Sequence, residues 1–215
     1  MKISLKWAAS LVIIICLSAP YSLWAAPVLD AHFTPAEFNL TYVVGDFESE
    51  NFSFAQTFTV GTSGQLTHIE VPLFLIASTG SDQLFLDLLT TSSGVPTFTS
   101  LAQSSIPHTD VPGVETWMTF DLSSEGLLVE PGDVHAIQLS LQGGGRVGWS
   151  ARTTEPLYSD GQVFQSTGAD WLDLSADLRF KTFVEPGSQV PIPAAVWLFG
   201  AGIAGLLGIR RKMKL

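Results

Sequence analysis

The charges of this chain are segregated by sign along its length, and that segregation limits what the chain can be. All 20 acidic residues lie between Asp30 and Glu185. Only Arg146, Arg152, Arg179 and Lys181 share that interval, so the central region carries −16. The other six bases stand at the ends: Lys2 and Lys6 before the first acid, and Arg210, Arg211, Lys212 and Lys214 after the last. Each basic end adjoins an apolar run. Segments that enter a membrane keep their flanking bases on the cytoplasmic side. The pattern therefore predicts an acidic domain carried outward between two membrane-facing segments. The formal net charge of −10 over 215 residues conceals this division. An acidic body also lacks the basic surface that a phosphate backbone requires, so no nucleic-acid partner is expected.

The first 25 residues read as a secretory signal peptide. Lys2 and Lys6 precede the uncharged run Ala8 to Leu17, Pro20 breaks that run, and small residues follow at Ala25 and Ala26. This is the charged start, short apolar middle and small-residue end that signal peptidase recognises. Cleavage after Ala25 is expected, since cleavage after Ala26 would place Pro27 immediately downstream. Ten apolar residues span only about 15 Å as a helix, too little to cross a bilayer. The alternative is an uncleaved membrane anchor. Cys16, the single cysteine, lies inside this segment and follows Ile15 rather than a small residue, which argues against lipidation. A mature chain without Cys16 has no disulfide and no thiol chemistry.

The opposite end, residues 188–215, is read as a sorting signal. Pro191 and Pro193 block a helix before Ala194. Residues 194–209 are uncharged and rich in glycine and alanine, and Arg210, Arg211, Lys212 and Lys214 follow. As a helix this run is about 24 Å long, short for a hydrocarbon core of about 30 Å. Snorkelling of the terminal bases or local thinning closes the gap, so a transmembrane helix over 194–209 is expected.

The motif Val190, Pro191, Ile192, Pro193, Ala194, with the apolar helix and basic terminus behind it, resembles the PEP-CTERM family of bacterial sorting signals, in its VPLPA variant. Ile192 stands where that variant has leucine and where the main form has glutamate. The resemblance covers residues 190–215 and concerns handling rather than the chemistry of the main domain. It implies recognition by an exosortase, a membrane-embedded cysteine transpeptidase-like enzyme of Gram-negative bacteria. It further implies an inner-membrane-anchored precursor, cleavage near the motif, and delivery to the cell surface or the exopolysaccharide matrix.

Residues 26–187 show alternation of period two, broken by Gly, Pro, Asp and Ser, and no sustained helical pattern. Asn51 to Val60 puts Phe52, Phe54, Phe58 and Val60 on one face. Leu66 to Leu75 does the same with Ile69, Val71, Leu73 and Leu75, although Pro72 argues for an edge or bulge. Leu84 to Leu89 is apolar on both faces apart from Asp87. Thr116 to Leu122 directs Met118, Phe120 and Leu122 inward, and Val134 to Leu141 directs Ile137, Leu139 and Leu141. Asp177 to Val184 directs Leu178, Phe180 and Val184 inward and Arg179 and Lys181 outward. Shorter strands are expected at 39–44, 101–106, 146–151 and 161–165. So many short strands predict an all-β fold, a two-sheet antiparallel β-sandwich of jelly-roll-like form. The segments Gln56 to Gly61 and Leu128 to Asp133 are also similar to extracellular sandwich domains found upstream of bacterial surface anchors.

Chemistry is sparse in this region. No Gly-x-Ser-x-Gly elbow occurs. His32, His68, His108 and His135 lie too far apart in sequence for a short ligand motif. His108 reads as part of a solvated loop beside Pro107 and Pro112, and His135 as an inward, core-edge residue. No catalytic residue is assigned. A glycan-active hydrolase would need two carboxylates meeting in a cleft. Asp170, Asp173 and Asp177 are the candidates for a structural calcium ion, with Asp46, Glu48 and Glu50 as a second acidic group. No other cofactor is expected. Trp117, Trp149 and Trp171 are the candidates for glycan contact, since indoles supply flat apolar area with a polar handle. The sequence thus predicts a non-enzymatic exported protein whose partners are signal peptidase, an exosortase and extracellular polysaccharide. The alternatives are a carbohydrate-binding module and, second to it, a glycan-active hydrolase.

Overall fold

Alternating side chains along the central region build a sheet with one apolar face, and the chain curls that sheet until the face is covered. The computed structural model describes residues 25–47, 50–78, 82–155 and 157–187. Their strands are β1 (Val28–Phe33), β2 (Leu40–Phe47), β3 (Glu50–Thr59), β4 (Gly64–Ala77), β5 (Gln83–Ser92), β6 (Val95–Pro107), β7 (Thr116–Asp121), β8 (Leu128–Val129), β9 (Val134–Gln142), β10 (Arg146–Arg152), β11 (Val163–Ser166), β12 (Leu172–Leu174), β13 (Asp177–Leu178) and β14 (Phe180–Pro186). Helical structure among the described residues is limited to two one-turn 3-10 segments, His108–Asp110 and Ser123–Glu125. Neither can cross a membrane. The signal peptide, the sorting motif and the span expected at 194–209 lie outside the described residues.

The all-β, antiparallel expectation holds. The strands run in one hydrogen-bonded order, β1-β14-β4-β10-β2-β3-β9-β5-β6. Strands β7 and β8 add to β4, β13 to β10, and β11 with β12 to β3. The two layers of a sandwich are thus halves of one curled sheet. They are joined where β2 and β3 pair, from Gly45↔Phe52 to Phe47↔Glu50. Before that hairpin β2 follows β10, and after it β3 follows β9 and β11. Gly45 stands at the transfer with φ +108°, a conformation L side chains rarely adopt, and a Cβ there would meet the Gly145 carbonyl.

The core lies between the halves. Phe54, Phe58, Ile69, Val71, Leu73, Leu84, Leu86, Leu88, Phe120, Ile137, Leu139, Leu178, Phe180 and Val184 are buried there, as the alternation predicts, and Leu66, off that parity, is buried with them. Phe58 of β3 and Phe180 of β14 meet across the two halves at 5.8 Å between ring centroids. One local reading is corrected. Pro72 is on no edge. It falls where β4 changes partner, between the β14 register ending at Glu70 and the β10 register beginning at Leu73. A residue without an N–H is tolerated at that break. In β5, Leu89 faces away from Leu84, Leu86 and Leu88, in keeping with a strand read as apolar on both faces. Leu89 joins Ala55 and Ala136 in a second, small cluster that Trp171 covers.

The edge strand β1 and its neighbour β14 hold the domain's two ends together, with Val28 opposite Val184. A bulge between Leu29 and His32 interrupts their ladder. Thr182, fully buried, repairs it: its hydroxyl accepts from the Ala31 N–H at 2.9 Å and donates to the Ala31 carbonyl at 3.2 Å. A buried hydroxyl is therefore satisfied at the one place where the pairing fails.

Gly45→Ala is expected to destabilise the domain by more than the roughly 1–3 kcal/mol of backbone strain, because the Cβ also displaces Gly145. Gly94→Ala, at φ +82° with open space around it, costs only about 1–2 kcal/mol. Urea denaturation of the two variants measures the difference.

Candidate functional site

The three tryptophans occupy three different environments. Trp149 is in β10 and is fully buried, so it offers no surface to a glycan. Its Nε1–H donates to the Arg179 carbonyl at 2.8 Å, which satisfies the only polar atom of a core side chain. The expectation of a sugar contact at Trp149 is thereby corrected. The short strand predicted at 146–151 already placed it in a ladder, and that ladder is an interior one.

Trp117, in β7, points outward as predicted and is half-buried. Cations cover it. The Lys181 ammonium lies 4.0 Å from the ring centroid and the Arg179 guanidinium carbon 5.4 Å. Lys181 pairs with Glu70 at 2.8 Å and Arg179 with Glu115 at 2.5 Å. Two of the domain's four bases are therefore spent on a closed ladder over one indole. This fixes the outer face of β4, β7 and β14.

Trp171 is half-buried in the turn before β12. It packs over Ala55, Leu89 and Ala136, and stacks on Phe98 at 5.3 Å with 19° between the rings. Beside it opens a shallow cleft of about 400 Å³ lined by Glu50, Phe52, Gln165, Asp170, Trp171 and Leu172, with the 166–169 turn as one wall. That turn is held by Gly168 N–H donating to Ser166 Oγ at 2.9 Å, with Gly168 at φ +104°. The strands meet here because β11 pairs with β3 from Val163↔Gln56 to Ser166↔Ser53. That contact joins residues more than a hundred positions apart, and nothing local in the sequence signals it. Phe52, Gln165 and Leu172 are cleft residues that sequence reading missed, as is Phe98, which stacks on Trp171 outside the cleft.

The acidic candidates separate. Asp177 is buried, its carboxylate accepting from Gln56 Nε2 and from the Tyr158 N–H, both at 3.0 Å. Gln56 Oε1 in turn accepts from the Leu178 N–H at 2.7 Å. This knot ties β3, β13 and the segment before β11. Asp173 accepts from Gln162 Nε2 at 2.6 Å, and Asp170 faces the cleft. Asp173 and Asp177 therefore have different partners, Asp170 has none among the described residues, and the three do not converge. Among the described residues no group of three His, Cys, Asp or Glu side chains could hold a metal ion. Glu48 lies outside the described residues. Burial pushes the Asp177 carboxyl up to about 6, against the pull of its two N–H donors, and the Tyr158 hydroxyl up to about 12.

Of the histidines, His108 differs from its sequence reading and His135 keeps its expected place at the core edge. His108 is fully buried rather than solvated, with Nδ1 3.7 Å from an Asp82 oxygen and Nε2 3.4 Å from the Arg146 carbonyl. Gly145 packs against its ring, where a Cβ would stand 2.4 Å from Cε1. His135 lies against Phe58 at 6.1 Å, and neither ring nitrogen has a hydrogen-bond partner. Burial lowers its basicity.

No family model matches this chain, and no curated protein is similar to it.

Asp177 makes stability depend on pH with a definite sign. Its folded value of about 6 exceeds the ordinary carboxylate value, so its contribution is full below about pH 4 and is lost as the pH rises through 6. The loss is on the order of 3 kcal/mol. His135, with basicity lowered by burial, acts in the opposite direction as the pH falls below its ordinary value of 6.5. Subtracting the unfolding free energy of Asp177→Asn from that of the unaltered chain isolates the carboxylate. The difference is expected to fall between pH 4 and 7, and a flat difference would refute the assignment.

Proposed function

We propose that this chain is an exported, non-enzymatic cell-surface protein of the exopolysaccharide matrix, sorted by an exosortase acting on its C-terminal signal. The charge partition carries this reading: an acidic body of −16 between two apolar segments that hold six bases. Signal peptidase removes residues 1–25. The segment 194–209 retains the precursor in the inner membrane with Arg210, Arg211, Lys212 and Lys214 inside. The exosortase acts at the motif Val190 to Ala194 and releases the jelly-roll-like sandwich outward.

Three features of the folded region support the reading. Its contacts gather residues 26–187 into one unit, so both processed segments fall outside it. Its first and last strands are paired neighbours, so trimming either end removes no strand from the interior of the sheet. The domain also reaches closure with no cysteine, as a chain stripped of Cys16 must. The carbohydrate-binding alternative is favoured by one observation, the cleft beside Trp171, and is compatible with sorting. Against a hydrolase stands the exposure of both cleft carboxylates, since a general acid is tuned by burial.

Replacing Arg210, Arg211, Lys212 and Lys214 by glutamine tests the sorting signal in a host that carries an exosortase. Accumulation of unprocessed or mislocalised precursor is expected. Unchanged processing and release would contradict the proposal.

A further inference from the structure

We infer that the cleft between β3, β11 and the turn before β12 is a binding site for a neutral saccharide, gripped by Glu50 and Asp170 beside Trp171. This deepens the reading above by naming what the exported domain holds, and it stands on the geometry of the cleft, not on the sorting signal.

The cleft's volume of about 400 Å³ lies within the range of small-ligand sites. It is shallow and open, suited to one or two sugar rings of a longer chain rather than to an enclosed small molecule. Its chemistry is amphipathic. Trp171, Phe52 and Leu172 give apolar area, and Leu172 is 63% exposed. Phe98, 55% exposed, stacks on Trp171 and extends the aromatic surface beyond the cleft. Sugar rings present C–H faces that pack on such area, and hydroxyl edges that need acceptors.

The acceptors are present and free. Glu50 and Asp170 both line the cleft, both are exposed, and neither has a hydrogen-bond or ion-pair partner among the described residues. Carboxylates accept strongly from hydroxyl donors. Gln165 adds an amide that can donate and accept. The lining contains two carboxylates and no basic side chain. This charge selects the ligand: a uronic acid or sulfated glycan would be repelled, whereas a neutral one would not. The wall is also preformed. Ser166 is buried, its Oγ is held by Gly168 N–H, and Ser53 donates to its carbonyl at 3.3 Å. A turn fixed before binding lowers the ordering cost of a weak, exposed site.

The other aromatic surface does not compete. Trp117 is capped by Lys181 and Arg179, and both cations are engaged with carboxylates.

Native affinity electrophoresis of the full chain in mild detergent tests the site. The gels contain a neutral β-glucan, mannan or xylan, or the acidic polysaccharide alginate. Retardation by at least one neutral polysaccharide and none by alginate is expected. The double variant Glu50→Gln, Asp170→Asn should weaken that retardation about tenfold or more while leaving the thermal midpoint unchanged, since both side chains are exposed. Trp171→Phe should retain part of the binding and Trp171→Ala little of it. Indifference to all three neutral polysaccharides, preference for alginate, or full retardation of the double variant would each overturn the inference. Release of reducing sugar would overturn its non-catalytic character. Processing at Val190 to Ala194 is unaffected by these variants, so failure of binding and failure of sorting read out separately.

Discussion

Everything in this domain follows from closing one sheet on itself without a covalent tie. The chain has one cysteine, and it lies in the segment read as a signal peptide. The described region has no helix to lay over an exposed apolar face. The sheet must therefore supply its own cover. It does so by bending at the β2–β3 hairpin until Phe58 of one half meets Phe180 of the other. Trp149, Phe120 and a set of leucines fill the space between. Burial of large side chains of this kind is worth roughly 1.5–3 kcal/mol each, and it must overcome the entropy of ordering every strand. That balance leaves little tolerance for unsatisfied polar atoms inside. The indole N–H of Trp149, the hydroxyl of Thr182 and the amide of Gln56 each find partners within the fold.

Much of this was legible in the sequence, and what was not has a physical reason. Strand faces with strict alternation, such as Ile69, Val71 and Leu73, identify their buried side because the side-chain period of a strand is two. Pairing between distant strands leaves no such trace. The contact of β11 with β3 creates the Trp171 cleft, yet no local pattern around residue 165 refers to residue 54. Proline was misleading at residue 72 for a related reason. An edge and a change of partner both lack a ladder bond, and only the assembled sheet distinguishes them. His108 reads as a loop residue from its flanking prolines, but the Gly143 to Gly145 turn, remote in sequence, packs over it and buries it.

The tryptophans show how little residue type decides by itself. Trp149 is core, Trp117 is a platform for two cations, and Trp171 is a surface side chain at the edge of a cleft. The difference lies in what each neighbouring strand brings. β14 supplies Lys181, the residue just before it supplies Arg179, and β4 supplies Glu70, so the face around Trp117 neutralises itself. The face around Trp171 receives two carboxylates and no base, so it keeps a negative charge directed at solvent. The domain's acidity is thus a general property with one local expression that a ligand could read.

The account's central claim is that this acidic sandwich is what remains after two membrane-facing segments are removed. The intact mass of the protein recovered from the extracellular fraction of its own host tests that claim most directly. The account predicts a chain that begins at Ala26, contains no cysteine, and ends at or near the motif Val190 to Ala194. A recovered chain that still carries residues 1–25 or 195–215 would contradict it.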